Sequence, residues 1–264
     1  MDKNEIRVIL EQHEKWLETR GKEGKRADFS EADLSEADLS HACLTGVILA
    51  RANLTRANLL KSTLVSADLT NVDFTEANLQ EADLYSAHLQ EATLYEANLS
   101  GVKLSGANLS GVNLSGVDLS GVNLYGANLY KADLSGAKLS GARLSHVDLR
   151  ETDLSGADLS GADLYEANLS RANLSGVNLV MAGLSHADLY EANLSRANLF
   201  GAKLSGAIIV RANLFRADLR NVVFVRADLS GACLSYADLS GAKLYGADLS
   251  YTDLTEANLS GATL

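Results

Sequence analysis

From Phe29 to Leu264 an apolar residue recurs at every fifth position without insertion or deletion, giving 48 consecutive pentads centred on residues 29, 34, 39 and onward. The centre is Leu throughout except at Phe29, Phe74, Ile209 and Phe224. Two residues earlier stands Ala in most pentads, otherwise Val, Thr or Ser, and the other three positions are mostly polar or small. An α-helix turns about 100° per residue, so leucines five apart would wind around it and leave no apolar stripe. In a flat strand they would alternate between the two faces. A chain that turns a corner after every pentad directs all the centres and their alanines inward. The pattern therefore predicts an all-β solenoid built from short extended sides.

The number of sides follows from the outer charges. At the corner, two residues after each centre, positions four pentads apart hold eight pairs of opposite charge and two of like charge. The opposite pairs are Glu31/Arg51, Glu36/Arg56, Arg56/Glu76, Lys61/Glu81, Lys131/Glu151, Glu151/Arg171, Arg171/Glu191 and Glu191/Arg211. At a separation of three pentads the balance is two opposite to five like, and at five pentads it is five to two. Stacked neighbours prefer opposite signs, so four pentads per coil are favoured over three or five. Twelve such coils, about 4.8 Å apart, would make a rod ~58 Å long. The chain has no Pro, as expected where backbone N–H groups must bond the next coil. Gly and Ser crowd the corners, where permissive dihedrals help. Glu, Arg and Lys occur there too, and the expectation from that mixture is that positive φ is not obligatory.

Tandem Ala-(Asp/Asn)-Leu-x-x, as in Ala32-Asp33-Leu34-Ser35-Glu36 and Ala37-Asp38-Leu39-Ser40-His41, resembles the pentapeptide-repeat family. The resemblance covers about nine-tenths of the chain. It implies a right-handed quadrilateral parallel β-helix with Leu or Phe stacked at the centres. The handedness is the family's contribution; the four sides come from the charges. This copy departs from the family in being uninterrupted, with no projecting loop.

Residues 1–26 read as an N-terminal capping helix and linker, and 27–264 as one repeat domain. Asp2 and Glu5 have capping-box spacing, and Ile6, Ile9, Leu10, His13, Trp16 and Leu17 line one helical face. Gly21 or Gly24 would end the helix. A lone amphipathic helix is marginal in water, and the first coil has an open apolar end at Phe29, Leu34, Leu39 and Leu44. Trp16 and Leu17 are the expected plugs. At the other terminus the open β-edge invites association, and the expectation is an end-to-end homodimer through the C-terminal coils.

Little in the chain points to chemistry. His146, Glu166 and His186 share one corner in successive coils, but the two imidazoles stand about 9.6 Å apart by backbone, too far for a shared metal. Serine is regular and outward, with no His and Asp converging on it. No enzyme activity, cofactor or metal is expected. No apolar run approaches the length of a membrane-spanning helix, and the N-terminus has no apolar signal region, so no membrane protein is expected. Cys43 and Cys233 lie about ten layers apart and cannot pair, which fits a reduced, cytoplasmic setting.

Charge supplies two ideas about partners. Net charge is −11, and three faces of the predicted rod are acidic, so nucleic acid is a poor partner. Asp148, Asp188, Asp228 and Asp248 form one acidic column that could imitate DNA. Members of the resembled family linked to fluoroquinolone resistance are thought to bind DNA gyrase in this way. B-DNA, however, carries one charge per ~1.7 Å, against about one per 5 Å here. The remaining face carries Tyr85, Tyr125, Tyr165 and Tyr245 with Lys103, Arg143, Lys203 and Lys243, residue types that suit a protein interface. A protein-binding scaffold or spacer is the leading expectation and a gyrase-directed mimic the alternative.

Overall fold

The structure, a computed structural model, describes residues 1–264. The chain forms two compact units, Met1–Asn113 and Leu114–Leu264. In the first, parallel bridges join Asp28 to Ile48, Asp33 to Asn53, Asp38 to Asn58 and Cys43 to Thr63, and so on to Thr93 with Asn113. In the second they run from Asp118 with Lys138 to Lys243 with Thr263. Every bridge joins positions four pentads apart, the coil that the corner charges predict. Seven of the eight opposite-charge pairs form ion pairs: Glu31/Arg51, Glu36/Arg56, Arg56/Glu76, Lys61/Glu81, Lys131/Glu151, Arg171/Glu191 and Glu191/Arg211. They are exposed, so each contributes at most about 1 kcal/mol; their value is in fixing register.

The repeat can be derived from its backbone donors. In the pentad Ala52–Arg56, the Ala52 N–H closes a turn onto the Leu49 carbonyl at 2.9 Å. Asn53 donates back to Ala32, while Leu54 and Arg56 donate forward to Asp73 and Thr75. Only the Thr55 N–H lacks a main-chain acceptor, and the Asn53 side chain takes it at 3.0 Å. All five donors are therefore satisfied. Asp or Asn stands before the centre because a short side-chain oxygen there reaches the N–H two residues on. Asn also links coils, as in Asn78 to Asn58 and Asn98 to Asn78, each at 3.1 Å. A Pro at four of the five positions would delete one of these main-chain bonds.

The corners correct the expectation about dihedrals. All 47 corner residues have positive φ, 18 of them Gly and 29 not, with Glu31 at 59°, Arg56 at 57° and Lys61 at 56°. The turn closed from the centre to the next Ala is of the kind with a left-handed third residue, as in type II, and the corners adopt it whatever side chain is present.

Every centre from Phe29 to Leu244 is buried, as are most of the alanines beside them, with Leu54, Leu84, Leu189 and Phe224 at 0% exposure. Three small polar residues replace Ala and are satisfied: Ser62 donates to the Leu59 carbonyl at 2.8 Å, Thr152 to the Leu129 carbonyl at 2.9 Å, and Thr252 to the Leu249 carbonyl. In the second unit Leu259 and Leu264 are exposed, at 40% and 83%.

Helix α1 (Lys3–Glu18) starts with the expected capping box, in which the Asp2 carboxylate accepts from the N–H groups of Asn4 and Glu5, and Glu5 accepts from Asp2. It stops before the glycines, where the Thr19 hydroxyl caps the Lys15 carbonyl at 2.8 Å. Three bonds tie it to the chain that follows: the Met1 amino group to the Asp33 carbonyl, Lys25 N–H to the Gln12 carbonyl, and Ala27 N–H to His13 Nδ1. The wholly buried residue of α1 is His13, stacked on Trp16 at 5.6 Å; Trp16 and Leu17 are half-buried. Phe29, Leu34, Leu39 and Leu44 of the first coil are at most 3% exposed. No helix is long and apolar enough to cross a membrane.

Candidate protein-interaction surface

In the first unit, Tyr85 is 54% exposed and Lys103 pairs with Asp83 of the preceding coil at 3.3 Å. In the second, Tyr125 and Tyr165 do more than share a column. His146 packs edge-on to Tyr125 at 5.2 Å and to Tyr165 at 5.8 Å, and His186 packs edge-on to Tyr165 at 5.8 Å. Four rings thus form one ladder, with Tyr125 50% and Tyr165 41% exposed. Edge-to-face contact is a favoured aromatic geometry, worth about 0.5–1.5 kcal/mol per pair. His146 Nδ1 lies 3.3 Å from the Glu166 carboxylate. A hydrogen bond to Glu166, together with its charge, raises the Tyr165 phenol above its ordinary pKa.

The column of His146, Glu166 and His186 is filled by the ring of Tyr165, and no group of three His, Cys, Asp or Glu is disposed to hold a metal. Tyr245 is 67% exposed and takes no part in the ladder. Arg143, Lys203 and Lys243 are exposed but stack on none of these tyrosines. The cation–π contacts lie elsewhere: Lys131 and Arg150 on Tyr130, Arg171 on Tyr190, Arg220 on Phe200, and Arg216 on both Phe215 and Tyr236. The histidines of the ladder and the Phe215–Tyr236 pair were legible in principle. Each partner sits one position off the four-pentad register, on a diagonal between coils, which a comparison made in register passes over.

The acidic column is less open than its sequence suggests. Each carboxylate accepts the N–H two residues on: Asp148 from Arg150, Asp188 from Tyr190, Asp228 from Ser230 and Asp248 from Ser250. Asp148 is also gripped by the Arg150 guanidinium at 2.8 and 2.6 Å. Burial pushes its pKa up, but the bonds and charge of Arg150 outweigh that and leave it lowered. The Ser250 hydroxyl and then its N–H hold Asp248 below the usual carboxylate range. Along the column, Asn168 separates Asp148 from Asp188, and Ile208 separates Asp188 from Asp228. Both cysteines are free.

The family model "Pentapeptide repeats" matches the chain in eight copies, running from residues 25–49 to residues 223–261. Among solved structures, HetL, a pentapeptide-repeat protein involved in heterocyst differentiation regulation from the cyanobacterium Nostoc sp. strain PCC 7120, is 34% identical, and the match covers 90% of this chain and 91% of that one, with a TM-score of 0.54. Full-length QnrB1, a plasmid-mediated fluoroquinolone resistance protein, is 21% identical over 82% of this chain and 91% of that one, with a TM-score of 0.42. Rfr23 from the cyanobacterium Cyanothece 51142 is 33% identical over 42% of this chain and 63% of that one, with a TM-score of 0.25. No curated protein sequence matches the chain.

Proposed function

Since the chain belongs to the pentapeptide-repeat family, we propose that it acts as a non-enzymatic scaffold or spacer whose outward side chains bind another protein. The observation that carries this reading is the Tyr125–His146–Tyr165–His186 ladder. Its rings are exposed yet already held against one another, so a partner would meet aromatic surface with little side-chain freedom left to lose. Interiors filled by Leu and Ala leave no room there for a substrate. Tyr85 and Lys103 in the first unit, and Arg143, Lys203, Lys243 and Tyr245 in the second, are proposed as further contacts. The bacterial cytoplasm, where Cys43 and Cys233 would stay reduced, is the proposed setting.

The test replaces Tyr85, Tyr125, Tyr165 and Tyr245 with Ser, a residue already common at that position of the repeat. Circular dichroism should be unchanged. Cross-linking in lysate followed by mass spectrometry should enrich a protein with the wild type and lose it with the variant. Equal capture by both proteins would remove the tyrosines from the binding face. The gyrase-mimic reading draws less support, because its carboxylates are engaged locally and interrupted by Asn168 and Ile208.

A further inference from the structure

The second unit contains a basic band inside an acidic chain. Residues 192–227 hold six cations, Arg196, Lys203, Arg211, Arg216, Arg220 and Arg226, against one carboxylate, Asp218, for a net charge of +5. On its N-terminal side, residues 114–191 hold five cations and ten carboxylates; on its C-terminal side, residues 228–264 hold one and five. Inside the band two cations are paired, Arg211 with Glu191 at 3.8 Å and Arg220 with Asp218 at 2.6 Å. Arg196, Lys203, Arg216 and Arg226 are left without a carboxylate.

One side of the band is shaped for contact. Phe215 and Tyr236 meet edge-to-face at 5.7 Å, and the Arg216 guanidinium lies over both rings, 5.0 Å from the first and 5.7 Å from the second. Beside them runs an open groove of about 610 Å³ with Ser175 and Ser195 along it and Arg196, Asn213 and Phe215 among its walls. The small side chains of Ser175, Gly176 and Ser195 account for the depression, and no acidic side chain lines it. Arg196 thus lines a neutral floor, and Arg216, at the same corner one coil on, lies over the Phe215 ring that walls it. Arg216 is already ordered by its rings, so little more of its freedom is lost on binding.

We infer that the groove lined by Arg196 and Phe215, with Arg216 beside it, docks an acidic segment of a partner protein, two carboxylates meeting the guanidiniums and an apolar or aromatic residue lying on Phe215. Guanidinium forks suit carboxylates and phosphates alike. The flanking charge decides between the two. The band is less than two coils wide, about 10 Å, and acidic sequence follows on either side. A nucleic-acid strand long enough to bind would extend its phosphates over those acidic coils and be repelled. A peptide bearing two or three carboxylates fits within the band. The inference rests on the scaffold reading only in taking a protein as partner; it uses residues distinct from the tyrosine ladder.

The test is fluorescence anisotropy on the full chain with a labelled peptide alternating Asp and Tyr, its Asn–Tyr twin, and a labelled oligothymidylate. The acidic peptide should bind, more tightly as salt is lowered, and the other two should not. Arg196→Glu with Arg216→Glu should weaken it by at least about tenfold. That variant should fold, since Glu occupies the same corner with positive φ at Glu31, Glu36 and Glu151, and its melting temperature checks this. Lys138→Glu, outside the band, should leave binding within about twofold. Absent peptide binding, binding that survives the double reversal, or preference for the oligothymidylate would each overturn the inference. The variant with serine for the four tyrosines should still bind the peptide, so failure here and failure of the ladder are read separately.

Discussion

A corner residue near φ +60° costs an L-amino acid about 1–2 kcal/mol relative to Gly, yet 29 corners carry a side chain. The structure explains how this is tolerated. A Cβ added at Gly136, Gly141, Gly156 or Gly161 would meet nothing within 4 Å, so many corners point into open space and the cost is only the backbone's own. Gly206 differs, because its Cβ would fall 2.7 Å from the His186 ring. Gly161→Ala should therefore lower stability by ~1 kcal/mol, and Gly206→Ala by more, since His186 must leave its place against Tyr165. Urea midpoints at unchanged slope measure both; equal losses would mean that the His186 packing contributes nothing. Gly at 18 of the 47 corners was a sign of positive φ, but Glu, Arg, Lys and Tyr at others masked it. The Asp or Asn before most centres was visible, and so short a side chain can reach the N–H two residues on.

Among the elements, α1 is the one that departs from the repeat, and its buried residue is a histidine. The helical face and the capping box were legible from spacing. Which residue packs deepest was not: bulk pointed to Trp16, but the chain after the helix brings the Ala27 N–H to His13, and that bond fixes the imidazole inside. Because Nδ1 accepts, the proton of the neutral ring sits on Nε2. Burial is the first cause of a lowered His13 pKa; a backbone hydrogen bond near Thr45 opposes it, and the charge of Arg26 adds to it. The unfolded chain takes up this proton near pH 6.5 and the folded chain does so only at lower pH. Below pH 6.5 the unfolded state therefore binds more protons, so stability falls with pH from about 6.5 down to the depressed folded value and is level above. The single Trp, stacked on His13, reports the change. Its fluorescence melting point should drop between pH 7 and pH 5. His13→Leu should lower stability at pH 7 by ~1–3 kcal/mol for the orphaned Ala27 N–H, and flatten the pH response. An undiminished pH response in that variant would assign the effect to another group.

For the molecule as a whole, net charge says less than its placement. The four-pentad register was readable because seven of eight predicted corner pairs do form. Contacts between coils on the diagonal escape a comparison made in register, because they join positions of different type, as Tyr125 to His146 and Phe215 to Tyr236. The same distinction bears on the mimic reading. The first unit nets −7, from 11 cations and 18 carboxylates, and the second nets −4, from 12 and 16. DNA presents an unbroken run of phosphates, whereas the acidic stretches of the second unit are divided by the basic band at residues 192–227. Many of the carboxylates also accept from their own backbone, which turns one oxygen away from any partner. A protein that recognises DNA by its charge should gain little from such a surface. Supercoiling by purified DNA gyrase is accordingly expected to proceed at the same rate with and without the full chain, at low and at moderate salt. Inhibition that appears at low salt and fades as salt rises would mean that the remaining exposed oxygens suffice, and would put the mimic ahead of the scaffold.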